Sequence, residues 1–124
     1  MKHGFLSLFC LALLTLHAPA KDPERIAASG GQTIIKEFYD DGTIKTLTRL
    51  HPDGALLGIL YYTPKGVPTH LDYYDDKKRV RRTLYYRENG TAQSSKEFDE
   101  QGKVILEQEF DAEGSVTKET KPKG

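Results

Sequence analysis

Large apolar residues recur along the chain in steps of twelve: Phe38, Leu50, Tyr62, Tyr74, Tyr86, Phe98 and Phe110. Four positions after each stand Gly42, Gly54, Gly66, Lys78, Gly90, Gly102 and Gly114, so that six of the seven are glycine. Six positions after each come Ile44, Leu56, Pro68, Val80, Ala92, Val104 and Val116. Three slots held in one register over seven copies mark an internal repeat, which takes precedence over other readings of the pattern. The stretch from Leu84 to Val104 shows the unit twice, with Tyr86 followed by Gly90 and Phe98 by Gly102.

The unit has a mechanical meaning. The pairs before the glycines include Asp40-Asp41, Pro52-Asp53, Pro64-Lys65 and Glu88-Asn89. Proline suits the first central position of a type I turn, and glycine supplies the left-handed residue that follows. That combination predicts a three-residue hairpin loop with a bulge at the glycine. The segments between loops are rich in Tyr, Val, Ile, Leu and Thr, a strand composition. The prediction is an all-β protein, an antiparallel up-and-down meander of about eight strands, near 33–39, 43–51, 55–63, 67–75, 79–87, 91–99, 103–111 and 115–120. An open, twisted single sheet is the expected form, with a curled or closed barrel as the alternative.

Loop length sets the expected register. If Tyr39 opposes Thr43, Phe38 meets Ile44, Leu50 meets Leu56, and each later hairpin closes on one large and one smaller apolar residue. Carried down the strands, the same count places Ile35, Leu47, Ile59, Leu71, Thr83, Ser95 and Glu107 in one row on the opposite face. That face is apolar in the first half of the sheet, and strands apolar on both faces want cover on both. Leu47, Leu57, Ile59, Tyr61, Leu71, Tyr73 and Tyr85 are therefore the candidate surface for a protein partner or a second copy.

The N-terminus changes the domain reading. Met1-Lys2-His3-Gly4 is short and basic, Phe5 to Leu16 is apolar apart from Ser7 and Thr15, and Ala18-Pro19-Ala20 is an Ala-x-Ala motif. This order predicts a secretory signal peptide over 1–20, cleaved after Ala20. The apolar run falls short of the roughly 20 residues of a membrane span, so no transmembrane segment is expected after cleavage. Cys10 lies inside the run and would leave with it, so neither a disulfide nor thiol chemistry is expected. Residues 21–32 then form a flexible lead, 33–120 the repeat domain and 121–124 a disordered tail. The expected location is the periplasm, cell surface or extracellular space of a bacterium.

Charge narrows the partners. Lys plus Arg and Asp plus Glu each number 18, so the whole molecule has no net charge to draw it to nucleic acid. The distribution is uneven: residues 77–96 hold seven bases and one acid, whereas 97–114 hold seven acids and one base. Within the first block, Lys77, Lys78, Arg79, Arg81 and Arg82 are the candidate contact for a polyanion or anionic lipid surface. In the register above, Arg81 would oppose Glu97 and Arg82 would oppose Asp72, which favours an ion-paired, solvated strand.

The unit resembles the MORN-repeat variant family, in which Tyr-Tyr-x-x-Asn-Gly alternates with Tyr-x-x-Gly about a dozen residues later. The matching residues are Asp53-Gly54 with Gly58 and Tyr61-Tyr62, and Tyr85-Tyr86 with Asn89-Gly90, within residues 36–116. Lys78 stands where that pattern has a turn glycine, and Gly58 has no counterpart in the other units. The resemblance implies a lipid- or protein-binding platform or an antitoxin-like or immunity-like binding protein. Tyr39-Asp40-Asp41-Gly42 and Phe98-Asp99-Glu100-Gln101-Gly102 also resemble the YD repeats of large bacterial surface proteins.

Catalytic chemistry finds no constellation. His51 sits in a turn, His70 lies on another strand, and no third metal ligand has suitable spacing. Asp40-Asp41 and Asp75-Asp76 fall in turns, where aspartate serves the backbone. Ser94 and Ser95 have no accompanying His and Asp. The tyrosine pairs Tyr61-Tyr62, Tyr73-Tyr74 and Tyr85-Tyr86 place one ring on each face, as cross-strand packing requires. The expectation is a non-enzymatic interaction or structural module without cofactor or metal.

Overall fold

A computed structural model describes residues 21–122. The expected signal peptide over 1–20 lies outside the described residues, as do the last two positions of the expected tail. The described chain is one sheet of nine antiparallel strands in sequence order. They are β1 (Glu24–Ala27), β2 (Thr33–Phe38), β3 (Ile44–Leu50), β4 (Leu56–Tyr62), β5 (Pro68–Tyr74), β6 (Val80–Tyr86), β7 (Ala92–Phe98), β8 (Val104–Phe110) and β9 (Val116–Thr120). β1 and β9 are the two edges, so the sheet is open and the barrel alternative is not adopted.

The first strand was absent from the sequence reading, which left 21–32 flexible. Ile26 pairs with Ile34 and Arg25 with Ile35, giving the short β1 an isoleucine neighbour on each face. A single 3-10 turn, Ser29–Gly31, makes the connection, with Gly30 and Gly31 at φ 74 and 78. Only glycine adopts this consecutive left-handed pair at little cost.

The seven later turns share one construction. In the first, the Tyr39 N–H donates to the Thr43 carbonyl and the Gly42 N–H to the Tyr39 carbonyl, at 2.7 and 2.9 Å. One side chain then caps the N–H that follows the glycine. Asp41, Asp53 and Asn89 do so from within the loop. Thr63, Asp75, Asp99 and Asp111 do so from its first residue. Each turn carries one such acceptor, which is why Asp and Asn move between the two positions without changing the geometry. Lys78 is the exception at the fourth slot, with φ 63 where its counterparts are glycine.

All seven predicted hairpin pairs form, from Phe38 with Ile44 to Phe110 with Val116. The register beyond them differs from expectation. After Phe38 meets Ile44, Glu37 meets Thr46, and Lys45 is an extra residue with no partner. Leu57, Thr69, Arg81, Gln93, Ile105 and Thr117 are extra in the same way. A bulge of one residue slips the register by one and moves everything beyond it to the other face. Consequently Arg82, rather than Arg81, opposes Glu97, and Arg82 opposes Tyr73 rather than Asp72. Corresponding positions twelve apart now alternate between faces, and the structural repeat is 24 residues.

Among the described residues no apolar side chain is fully buried, and the buried polar ones are Thr46, Thr83 and Ser95. The sheet is one layer, held by ladder hydrogen bonds and cross-strand pairs. Ties between neighbouring turns along the same margin add to this. The Tyr39 hydroxyl donates to the Tyr62 carbonyl at 2.6 Å, the Arg81 Nε to the Phe98 carbonyl at 2.9 Å, and Arg87 reaches the Phe110 carbonyl.

Candidate functional site

Residues directly opposed across strands share a face, so the pairing defines two unlike surfaces. On one, which we term the leucine face, Leu47, Leu60, Leu71 and Leu84 pair in succession across β3, β4, β5 and β6. Lys36 precedes this row on β2, and Ser95 continues it on β7. The neighbouring row runs Arg49, Gly58, Tyr73, Arg82 and Glu97. Gly58 is the one position of this row without a side chain, and the gap opens a cavity of about 320 Å³ lined by Leu47, Leu57, Leu60, Leu71 and Tyr73 among others. A Cβ on Gly58 would stand 2.9 Å from the Asp72 carbonyl oxygen, so the backbone of β5 closes the floor of this hollow.

Tyr62, Tyr73 and Tyr86 share the leucine face with Arg82. Burial, and then the neighbouring Tyr73 and Tyr62, push the Tyr86 hydroxyl above its usual pKa. The Arg82 guanidinium lies 5.9 Å from the Tyr73 ring centre, and its Nε is buried without an acceptor. Tyrosine and arginine are the side-chain types in which interface hot spots are enriched.

The other surface, the histidine face, centres on Tyr61, His70 and Tyr85. The Tyr61 and His70 rings stack with centroids 4.4 Å apart and planes 16° from parallel. Rings stacked on each other offer their edges outward, which removes the open ring faces that sugars or bases would stack on. Thr83 donates to Asp72 at 2.7 Å, and His70 Nε2 lies 4.0 Å from the same carboxylate. Burial and the adjacent Tyr61 push Tyr74 up to about 12. Among the described residues no group of three or more His, Cys, Asp and Glu could hold a metal ion.

The candidate partner surface read from the sequence is therefore divided. Leu47, Leu71 and Tyr73 lie on the leucine face, Leu57 is a bulge residue beside its hollow, and Ile59, Tyr61 and Tyr85 lie on the histidine face. Leu60 and Leu84, which complete the leucine row, escaped the sequence reading. Their signal was the 24-residue spacing of Leu47 to Leu71 and of Leu60 to Leu84.

The candidate polyanion residues are dispersed as well. Lys77 and Lys78 sit on an exposed turn. Arg79 Nε bonds Asp75 at 3.0 Å, and Arg81 Nη1 lies 3.6 Å from the same carboxylate. Backbone N–H donation from Arg79 and Lys77, with the Arg79 guanidinium, holds the Asp75 carboxyl down at about 2. Arg82 belongs to the leucine face. The arginines thus hold the sheet margin and one face and do not form a common basic patch.

No helix among the described residues is long and apolar enough to cross a membrane. No family model matches the chain, and no curated protein matches it. Solved structures do resemble it. A mutant of S. aureus TarM, in complex with Fondaparinux, alpha-GlcNAc-glycerol and UDP, superposes with a TM-score of 0.58 at 16% identity, over 92% of this chain and 24% of that one. Accessory secretory protein 1,2 and 3 of Streptococcus pneumoniae gives 0.54 at 20% identity, over 77% and 18%. The Glycosylation Associate Protein (Gap123) complex of Streptococcus agalactiae gives 0.54 at 17%, over 80% and 18%. The chain thus spans a quarter or less of the chains it matches, and what it shares with them is the fold of an antiparallel sheet.

Proposed function

We propose that this protein is an exported, non-enzymatic interaction module of the bacterial periplasm or cell surface, and that the leucine face is where it docks on protein. The observation that carries the reading is the uncovered row of Leu47, Leu60, Leu71 and Leu84 on a sheet with no second layer. Apolar surface of this kind, contiguous and rimmed by Lys36, Arg49, Arg82 and Glu97, marks interaction sites. The sheet edges are poorly suited to recruiting another strand. β1 has four residues and follows Pro23, while β9 carries Lys118 and is followed by Pro122. Short strands, lysine and proline blunt an edge. The Gap123 neighbour, named as a complex, is consistent with a sheet of this type serving protein assembly.

Cross-linking in intact cells, followed by capture of the tagged chain, tests the reading. Loss of the cross-linked species with Leu60→Glu, and its retention with Ile59→Glu on the other face, is the expected result. Equal capture by both variants would remove the leucine face from the proposal. Fractionation of cells making the full chain tests export, and retention in the cytoplasm would refute it.

A further inference from the structure

We infer that the occupant of the leucine face is a second copy of this chain, stacked face to face about a two-fold axis along β5. The inference rests on the docking reading above and adds the partner. A closed two-fold contact needs a surface that complements itself, because each residue meets the image of another residue of the same patch. The cross-strand rows allow that condition to be checked. An axis along β5 sets β4 over β6 and β3 over β7 of the second copy, keeping each residue at its own level along the strands.

In the leucine row, Leu71 then meets Leu71 of the second copy, and Leu60 meets Leu84. In the neighbouring row, Tyr73 meets Tyr73, Arg49 meets Glu97, and the Gly58 hollow lies over Arg82. At the far level, Tyr62 comes over Tyr86, and further out Phe38 comes over Phe110. Near the axis apolar positions meet apolar ones, Leu47 comes over the small, buried Ser95, the long cation faces the one gap, and a base faces an acid. The like-charged match, Glu24 with Glu119, falls on the outermost strands, where Glu119 is exposed and Glu24 is paired with Lys21 at 3.1 Å.

The histidine face fails the same operation. It would set Asp72 on Asp72 and Glu37 on Glu109. Self-complementarity therefore belongs to one face only, which is not a general consequence of the repeat. Stacked twisted sheets cross at about 30°, so the match is kept best over β4, β5 and β6 near the axis. Size is also sufficient. Nine strands about 4.8 Å apart and about 20 Å long present roughly 800 Å² per face, about what each partner contributes to a standard interface.

Sedimentation equilibrium of the chain purified after export tests the proposal. A dimer is expected, with Leu71→Glu weakening self-association at least about 100-fold, because two carboxylates then meet at the axis. Ile59→Glu should leave it intact. Arg49→Glu should weaken association about tenfold, and Arg49→Glu with Glu97→Arg should restore it. That rescue is not expected of non-specific apolar contact. A parent chain monomeric at high micromolar concentration overturns the dimer. The docking reading then survives only if Leu60→Glu still abolishes cross-linking to another protein in cells. A dimer indifferent to Leu71→Glu overturns this face as its interface. Should Leu71→Glu fail to fold by circular dichroism, Leu71→Cys in the exported chain gives a second readout. A short bis-maleimide should join two copies at Leu71→Cys and not at Ile59→Cys, and equal yields at the two sites would refute the stacking.

Discussion

Gly58→Ala is the substitution that most directly tests how the single layer is packed. Gly58 pairs with Tyr73 in mid-strand, and its φ is not in the left-handed region, so an alanine there meets no conformational barrier. Propensity alone predicts stabilisation, by about 0.5–1 kcal/mol, because alanine loses less backbone entropy on folding. The structure predicts the reverse. The new Cβ would stand 2.9 Å from the Asp72 carbonyl oxygen, with Leu71 Cδ1 at 3.6 Å and the Tyr73 ring at 3.7 Å. The near atom belongs to the backbone of β5 and cannot rotate away, so β4 and β5 must part by a few tenths of an ångström. Overpacking of this sort costs about 1–3 kcal/mol. The net is a loss of about 1 kcal/mol, or about 4–8 °C in midpoint for a domain near 100 residues. Urea unfolding should be followed by circular dichroism at protein concentrations low enough to keep the chain monomeric. Gly90→Ala is the comparison, since its Cβ would meet nothing within 4 Å and its cost, also about 1 kcal/mol, arises from φ 89. If Gly58→Ala were as stable as the parent or more so, the packing argument for this hollow would be wrong.

Other consequences follow from the turns and the buried polar pair. Lys78→Gly should raise the free energy of unfolding by up to about 1 kcal/mol, because it relieves a left-handed lysine at φ 63 while keeping the 3.0 Å bond from its N–H to the Asp75 carbonyl; a lower urea midpoint would refute this. Asp75 titrates at about 2 in the folded chain against an ordinary value of 3.8, so its contribution is present above pH 4 and is lost as the pH falls toward 2. Asp75→Asn should therefore flatten the acid limb of the stability profile between those limits, and an unchanged limb would count against the Arg79 and Lys77 contacts. Thr83→Val keeps the shape of a side chain only 6% exposed but removes its 2.7 Å bond to Asp72, at an expected cost of about 1–2 kcal/mol measured by the same urea unfolding. No loss would mean that water replaces the hydroxyl.

What the sequence determined by itself is local. The turn chemistry of Pro52, Pro64 and the recurrent glycines, with one capping Asp, Asn or Thr per loop, specifies where the chain reverses. The seven hairpin pairs follow from loop length alone, which is why the meander and its strand boundaries are legible in the sequence. β1 was not legible, because four residues between Pro23 and a glycine pair carry too little periodicity to signal a strand.

Which face each side chain occupies was decided by tertiary structure. One unpaired residue after each hairpin, such as Lys45 or Leu57, has no composition that distinguishes it from its neighbours, yet it exchanges the faces of every residue beyond it. The row expected to hold Leu47, Ile59 and Leu71 is thereby split, and Leu60 and Leu84 are brought in beside Leu47 and Leu71. A hydrophobic pattern with period twelve is compatible with either register, because it constrains residues along one strand and says nothing of the offset between strands. That offset is fixed by backbone hydrogen bonds around the bulge. It alone decides that the four leucines stand together, that Arg49 and Glu97 fall at matching levels on strands equidistant from β5, and hence that one face of the sheet complements itself.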